Sequence, residues 1–123
     1  MNQKHIVVVD DETSFRTMLR KTLETAGYRV SEAKNALAAC DVGEYDLMLL
    51  DIKMPGIDGH KVLKSLKEEK SCAAPILVIT GLSDPTHRTE ALAEGADGFM
   101  TKPLDLQALL AEVSGLLARA PNQ

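Results

Sequence analysis

Three features of the sequence predict an α/β fold of three layers around a five-stranded parallel sheet. The short runs Ile6–Val9, Leu47–Leu50 and Ile76–Ile79 are apolar without interruption, as suits strands covered on both faces. Each leads through turn-forming residues into a longer stretch with apolar residues at helical spacing. Strand-like and helix-like stretches alternate five times within 123 residues, a length that fits one domain able to bury its own core. That alternation calls for right-handed crossovers and puts helices on both faces of the sheet.

The elements follow in order. Ile6–Val9 is β-branched and reads as the first strand, ending at Asp10-Asp11, either of which can cap the next helix. From Glu12 to Ala26, Phe15, Met18, Leu19, Leu23 and Ala26 form one apolar face, and Gly27 stops the helix. Tyr28–Ala33 alternates in polarity, so it is expected at an edge or half covered. Asn35–Val42 is a short helical segment with Leu37 and Cys40 inward, closed by Gly43. Leu47–Leu50 is the central strand and ends at Asp51; Met54-Pro55-Gly56 turns the chain. Gly59–Lys70 is helical, with Val62, Leu63 and Leu66 on one side and a solvated run of lysines and glutamates on the other. Ile76–Ile79 ends at Thr80. Asp84-Pro85 is an N-cap followed by proline at the first helical position, and that helix runs to Glu94 before Gly95. Gly98–Thr101 is the fifth strand. Leu104–Arg119 is the last helix, with Leu106, Leu109, Leu110, Val113, Leu116 and Leu117 as its apolar stripe; the tail 120–123 reads as frayed. Five such units favour the flavodoxin-like (βα)5 sandwich with strand order 2-1-3-4-5, which sets strands one and three side by side at the switch point.

Composition narrows the function. Hydrophobic residues make up 45% and charged residues 26%, ordinary for a soluble domain, and a net charge of −4 argues against a large nucleic-acid surface. No apolar run approaches the ~18 residues of a membrane span, and no signal peptide is evident, so a cytoplasmic location is expected. Cys40 and Cys72 form no close pair and read as reduced thiols.

The predicted topology gathers chemistry at one sheet edge. The carboxyl ends of strands one and three carry Asp10, Asp11 and Asp51. Taken alone, Asp10 and Asp11 can be helix caps, but Asp51 supplies a third carboxylate at the same place. Three carboxylates repel one another and raise each other's pKa unless a cation neutralises them. All-oxygen ligands favour Mg²⁺. A carboxylate is also a nucleophile toward phosphorus, and phosphoryl transfer then needs positioning and charge neutralisation. Thr80, ending strand four, offers a hydroxyl, and Lys102, after strand five, offers an ammonium.

In this order and spacing, Val9-Asp10-Asp11-Glu12 with Arg16 and Leu19, Leu49-Leu50-Asp51-Ile52-Lys53-Met54-Pro55-Gly56-Ile57-Asp58-Gly59, Ile79-Thr80-Gly81, and Gly95-Ala96-Asp97-Gly98-Phe99-Met100-Thr101-Lys102-Pro103-Leu104 resemble the receiver domain of two-component response regulators, in its chemotaxis-regulator-like single-domain form. The similarity runs from about His5 to Leu117, with residues 1–123 expected to be one receiver domain whose core spans about 5–118. The resemblance implies that Asp51 accepts a phosphoryl group from a phosphohistidine on a sensor histidine kinase or histidine phosphotransfer protein. It implies Mg²⁺ held by Asp11, Asp51 and the backbone carbonyl of Lys53, with Asp10 acting mainly through water. Lys102 pairs with the phosphoryl group. Thr80 and Phe99 form a switch pair that alters the surface of the fourth helix, fifth strand and fifth helix for a downstream output protein. Such a chain catalyses only its own phosphorylation and dephosphorylation. It is expected to be a monomer or weak homodimer that binds no nucleic acid itself. Gly81 and Leu104 depart from the alanine and phenylalanine common at those positions, and Phe99 lacks a tyrosine hydroxyl.

Other readings carry less. A receiver fragment of a longer regulator with a DNA-binding output domain is the alternative; the few charges of the last helix (Asp105, Glu112, Arg119) favour a stand-alone form. An aspartyl-phosphate phosphatase needs a second aspartate two residues after the nucleophile, where Lys53 stands. A non-phosphorylated binding module should lack part of the acidic set or the lysine. His5, His60 and His87 lie on different elements and read as surface histidines; Phe15 and Met18 read as core, or as a docking face for a kinase.

Overall fold

The computed structural model describes residues 3–39, 43–54, 57–68, 74–82 and 84–118. Five strands form the parallel sheet: β1 (His5–Val9), β2 (Arg29–Ala33), β3 (Leu47–Leu50), β6 (Ile76–Thr80) and β7 (Gly98–Thr101), in the order β2-β1-β3-β6-β7. In chain order of the five this is 2-1-3-4-5, as the alternation predicts. The central strands β1, β3 and β6 are buried at every position, whereas β2 lies at an edge, with Val30 and Ala33 buried, Ser31 and Glu32 half-buried and Arg29 exposed, so the expected alternation does not appear in its burial.

The pleat divides the core in two. Ile6, Val8, Leu47, Leu49, Leu77 and Ile79 face α1 (Thr13–Thr25) and α5 (Leu106–Ala118) through Leu19, Leu23, Leu109 and Val113. Val7, Val9, Met48, Leu50, Ile76 and Val78 face the other layer, made by α2 (Ala36–Ala39), α3 (Gly59–Glu68) and α4 (Pro85–Ala93), through Ala39, Leu63, Leu66 and Ala91. Alternate residues of one strand thus serve opposite helical layers.

Several boundaries differ from the sequence reading. Helix α1 starts at Thr13, with Glu12 at the N-cap position lacking a side-chain cap; the Asp10 carboxylate accepts the Glu12 N–H at 2.8 Å instead. Helix α5 starts at Leu106 rather than Leu104, because Asp105 accepts the N–H groups of Gln107 and Ala108 and fixes the first turn there. Leu106, expected in the apolar stripe, is 39% exposed, since it precedes the part of α5 that rests on the sheet. Residues 53–58 are not a bare turn: β4 (Lys53–Met54) and β5 (Ile57–Asp58) form a two-residue antiparallel ladder. Asp84 caps α4 as expected, and Gly95 takes a φ of +111° beyond its end. The inward side chains expected at Leu37 and Cys40, the thiol of Cys72, the Pro55-Gly56 turn, Lys70 and the tail from Arg119 lie outside the described residues.

Candidate functional site

The carboxyl edge of the sheet gathers the predicted groups. Asp10 follows β1, and its N–H bonds the Ala33 carbonyl of β2; Asp51 follows β3, and its N–H bonds the Val9 carbonyl of β1. Both side chains are therefore aimed by backbone already committed to the sheet. Asp10 is 2% exposed and Asp51 5%, whereas Asp11 is exposed.

Lys102 joins them. Its backbone N–H bonds the Thr80 carbonyl at 2.8 Å, which carries the β6–β7 pairing one residue past the strand. Its Nζ lies 2.9 Å from Asp10 Oδ2 and 3.2 Å from Asp51 Oδ2, with Glu12 at 3.8 Å. One ammonium thus balances two nearly buried carboxylates. Burial pushes the Asp10 carboxyl above the ordinary range, and the Asp51 charge adds to this; the Glu12 N–H and the Lys102 ammonium only partly offset it. Burial alone would lower Lys102, but its hydrogen bond to Asp10 and the charges of Asp51 and Asp10 outweigh that and hold the ammonium above the usual lysine value.

The carboxylates keep distinct partners on their other oxygens. Asp10 Oδ1 accepts from the Glu12 N–H, and Asp51 Oδ1 accepts from the Lys53 N–H at 2.7 Å. One oxygen of each of Asp10, Asp11 and Asp51 lies within 4.8 Å of the others. Octahedral coordination at about 2.0–2.1 Å spans about 3–4 Å between ligand oxygens, so this all-oxygen set fits a small hard divalent cation. Thr80 is fully buried, and its Oγ1 accepts the Leu82 N–H at 3.3 Å. Phe99, 9% exposed, belongs to the core of the α2–α3–α4 layer.

Three features escaped the sequence reading. The Lys102 ammonium sits 4.0 Å from the centre of the Phe15 ring, so Phe15 is both core and the floor under the lysine. Arg16 Nη1 donates to the Asp10 carbonyl while its Nε bonds Glu32 at 3.2 Å, tying the site to β2. The i, i+4 spacing between Glu12 and Arg16 marks a helix face but names no partner across the fold. The histidines are not all surface groups. His5 is buried, with Nδ1 against the Glu44 carbonyl and Nε2 against Ser31 Oγ, because β1 is covered by β2 and the loop before β3. His60 and His87 stack on each other.

The carboxyl edge of this open α/β sheet thus brings together a buried acidic pair, a strand-end hydroxyl and a lysine. The chain belongs to the response regulator receiver domain family, whose pattern it matches over residues 6–114. It is 38% identical over 122 residues to the transcriptional regulatory protein ResD of Bacillus subtilis, covering 97% of this chain and 50% of ResD. Among solved structures, a two-component response regulator from Clostridium difficile superposes with a TM-score of 0.88 at 28% identity, covering 98% of this chain and all of that one. The chemotaxis protein CheY4 of Vibrio cholerae gives 0.84 at 28% identity, with 94% and 99% covered. The chain spans about half the length of the curated relatives it matches. Receiver domains of two-component systems are phosphorylation-dependent signalling switches, and response regulators work between sensor kinases and output domains. Among the described residues no helix is long and apolar enough to cross a membrane.

Proposed function

We propose that Asp51 is the phosphoacceptor of this switch. The observation that carries the reading is the shared ammonium: Lys102 bridges Asp10 and Asp51, so one cation holds the acceptor carboxylate ready and can follow the negative charge that arrives on it. In the transfer an Asp51 oxygen forms the new O–P bond, the P–N bond of a phosphohistidine breaks, and the imidazole leaves. Lys102 then pairs with the phosphoryl oxygens, and Asp10 loses part of its counter-charge to them. The Lys53 N–H on Asp51 Oδ1 orients the carboxylate. Asp11, Asp51 and the Lys53 carbonyl would hold Mg²⁺, with Asp10 acting through water, and the ion would supply charge neutralisation at the transferring group.

The response is read out through Thr80 and Phe99. Thr80 Oγ1 accepts the Leu82 N–H, and its own O–H donates to a phosphoryl oxygen once one arrives; the Phe99 ring reports that change by packing alone. The surface affected is α4, β7 and α5. It carries a groove of about 490 Å³ lined by Pro85, Arg88, Phe99, Met100 and Pro103, suited to an output protein or domain. Residues 1–123 act as one receiver domain in the cytoplasm, with a core of about 5–118, as a monomer or weak homodimer. The chain catalyses only its own phosphorylation and dephosphorylation. Its donor is a sensor histidine kinase or a histidine phosphotransfer protein, and it makes no nucleic-acid contact of its own. A second reading, the receiver part of a longer DNA-binding regulator, is favoured by the half-length match to a transcriptional regulatory protein.

Incubation with Mg²⁺ and acetyl phosphate, followed by intact mass, tests the acceptor. One phosphoryl adduct is expected, absent in Asp51→Asn. No adduct on the parent chain, or the same adduct on the variant, overturns the assignment.

A further inference from the structure

A second cluster of metal-ligating side chains lies between α3 and α4, away from the acidic edge. His60 stands in the first turn of α3, His87 and Glu90 stand on α4 three residues apart, and Glu94, four residues further, is its C-cap, which puts the three on one stripe. His60 Nδ1 is 2.7 Å from Glu94 Oε1, and His60 Nε2 is 3.1 Å from His87 Nδ1. The two rings stack with centroids 5.4 Å apart and planes 17° from parallel. One ligand atom from each of His60, His87 and Glu90 lies within 4.8 Å of the others.

We propose that His60, His87 and Glu90 form a binding site for a borderline divalent transition ion of the Zn²⁺ class, with Glu94 positioning His60. An ionised carboxylate only accepts hydrogen bonds, so Glu94 fixes the proton of a neutral His60 on Nδ1 and leaves the Nε2 lone pair turned toward His87. A carboxylate behind a ligating histidine is the usual device for fixing its tautomer and raising its basicity. The nitrogen separation also suits the ion. Zn–N distances of about 2.0–2.1 Å across the 3.1 Å gap give an N–Zn–N angle of about 98°, between octahedral and tetrahedral values. In the metal-free pair His87 Nδ1 donates to His60; on binding, that proton moves to His87 Nε2 and frees the Nδ1 lone pair, with no net proton lost. Glu90 is exposed and closes the remaining distance by rotation, and water completes the set. The His60 and Glu94 side chains are only 19% and 21% exposed, so these two are held in place, while the Glu90 side is open for entry. Imidazole nitrogen in two of three protein positions selects against Mg²⁺.

The test is a Zn²⁺ titration of the full chain by calorimetry in chelator-cleared buffer with millimolar Mg²⁺ present to fill the acidic edge, and with Co²⁺ as the spectroscopic probe. One ion is expected to bind with micromolar or better affinity and to raise Tm by several degrees. His60→Asn and His87→Asn should each weaken binding at least about tenfold, and Glu94→Gln by about 10–100-fold through the lost orientation of His60. Asp51→Asn should bind Zn²⁺ like the parent, which keeps this site independent of the phosphoacceptor assignment. Co²⁺ should give visible ligand-field bands without thiolate charge transfer. Binding that survives His60→Asn and His87→Asn, a thiolate–cobalt band, or no binding at 100 μM Zn²⁺ overturns the proposal. Since the side chains concerned lie on the surface of two helices, far-ultraviolet circular dichroism of each variant shows whether it keeps its fold.

Discussion

At the scale of single residues, the acidic edge is a compromise between stability and readiness. Asp10 is buried beside Asp51 with one ammonium between them, and its carboxyl is held above the ordinary range chiefly by burial. The unfolded chain releases that proton near pH 3.9. Between that pH and the higher folded value the native state binds more protons at Asp10, so this group's contribution to stability is fully present below the unfolded value and is lost as pH rises through the folded one. Asp10→Asn keeps an oxygen for the Glu12 N–H and removes the charge. Urea unfolding in EDTA should therefore find that the variant loses less stability than the parent as pH rises above about 4. Mg²⁺ should stabilise the parent more than the variant. Equal pH profiles would mean that Lys102 fully offsets the burial of Asp10. The same residues mark the reach of the sequence. Asp10, Asp51, Thr80 and Lys102 were legible because a buried parallel strand delivers whatever follows it to one edge. Phe15 beneath Lys102 and the His60–His87 stack were not, because both depend on how helices settle on the sheet, which the spacing along one helix leaves open.

At the scale of elements, the link from β3 to α3 sets how firmly Asp51 is held. The expected turn is a short ladder, β4 with β5, that brings the start of α3 back against the residue after Asp51. Gly59 is where they meet. A Cβ there would stand 2.2 Å from the Ile52 carbonyl oxygen and 2.4 Å from its Cα, both backbone atoms that no rotamer change can clear. Gly59→Ala should cost about 2–3 kcal/mol and slow acetyl phosphate labelling of Asp51, because Ile52 must move and takes the acceptor with it. Chemical denaturation and labelling rates measured together check this; loss of stability with an unchanged rate would uncouple α3 from the site. The sequence showed that Gly59 opens a helix. It did not show the ladder, since two-residue strands have no periodicity to read. The misplaced start of α5 has a similar cause: Leu104 and Leu106 fit a helical stripe, but the Asp105 cap decides where the helix begins.

At the scale of the whole molecule, the question is how an event at Asp51 reaches the α4–β7–α5 face. The sheet is tightly committed: β1, β3 and β6 are buried throughout, and their alternate residues anchor both helical layers. A close-packed core does not deform continuously, so a change must pass through a part with two arrangements. Leu82 qualifies on burial, being only partly covered, and it is held to Thr80 by one 3.3 Å bond, longer than most in the fold. Beyond it lies α4, tied to β7 by Arg88 Nη1 on the Phe99 carbonyl at 3.4 Å. Phe99 is already largely buried, so a response does not need its ring to swing from solvent; it needs the packing of the α2–α3–α4 layer around it to change. With beryllofluoride and Mg²⁺, amide shifts should therefore move at Gly81, Leu82, the first turn of α4 and Phe99, and stay still along β2 and in the last turns of α5. Phe99→Leu should shrink the α4 changes without removing those at Asp51 and Lys53. If the shifts stop at the Asp51 and Lys102 loops in the parent chain, Phe99 is a static core residue and the signal leaves by another face.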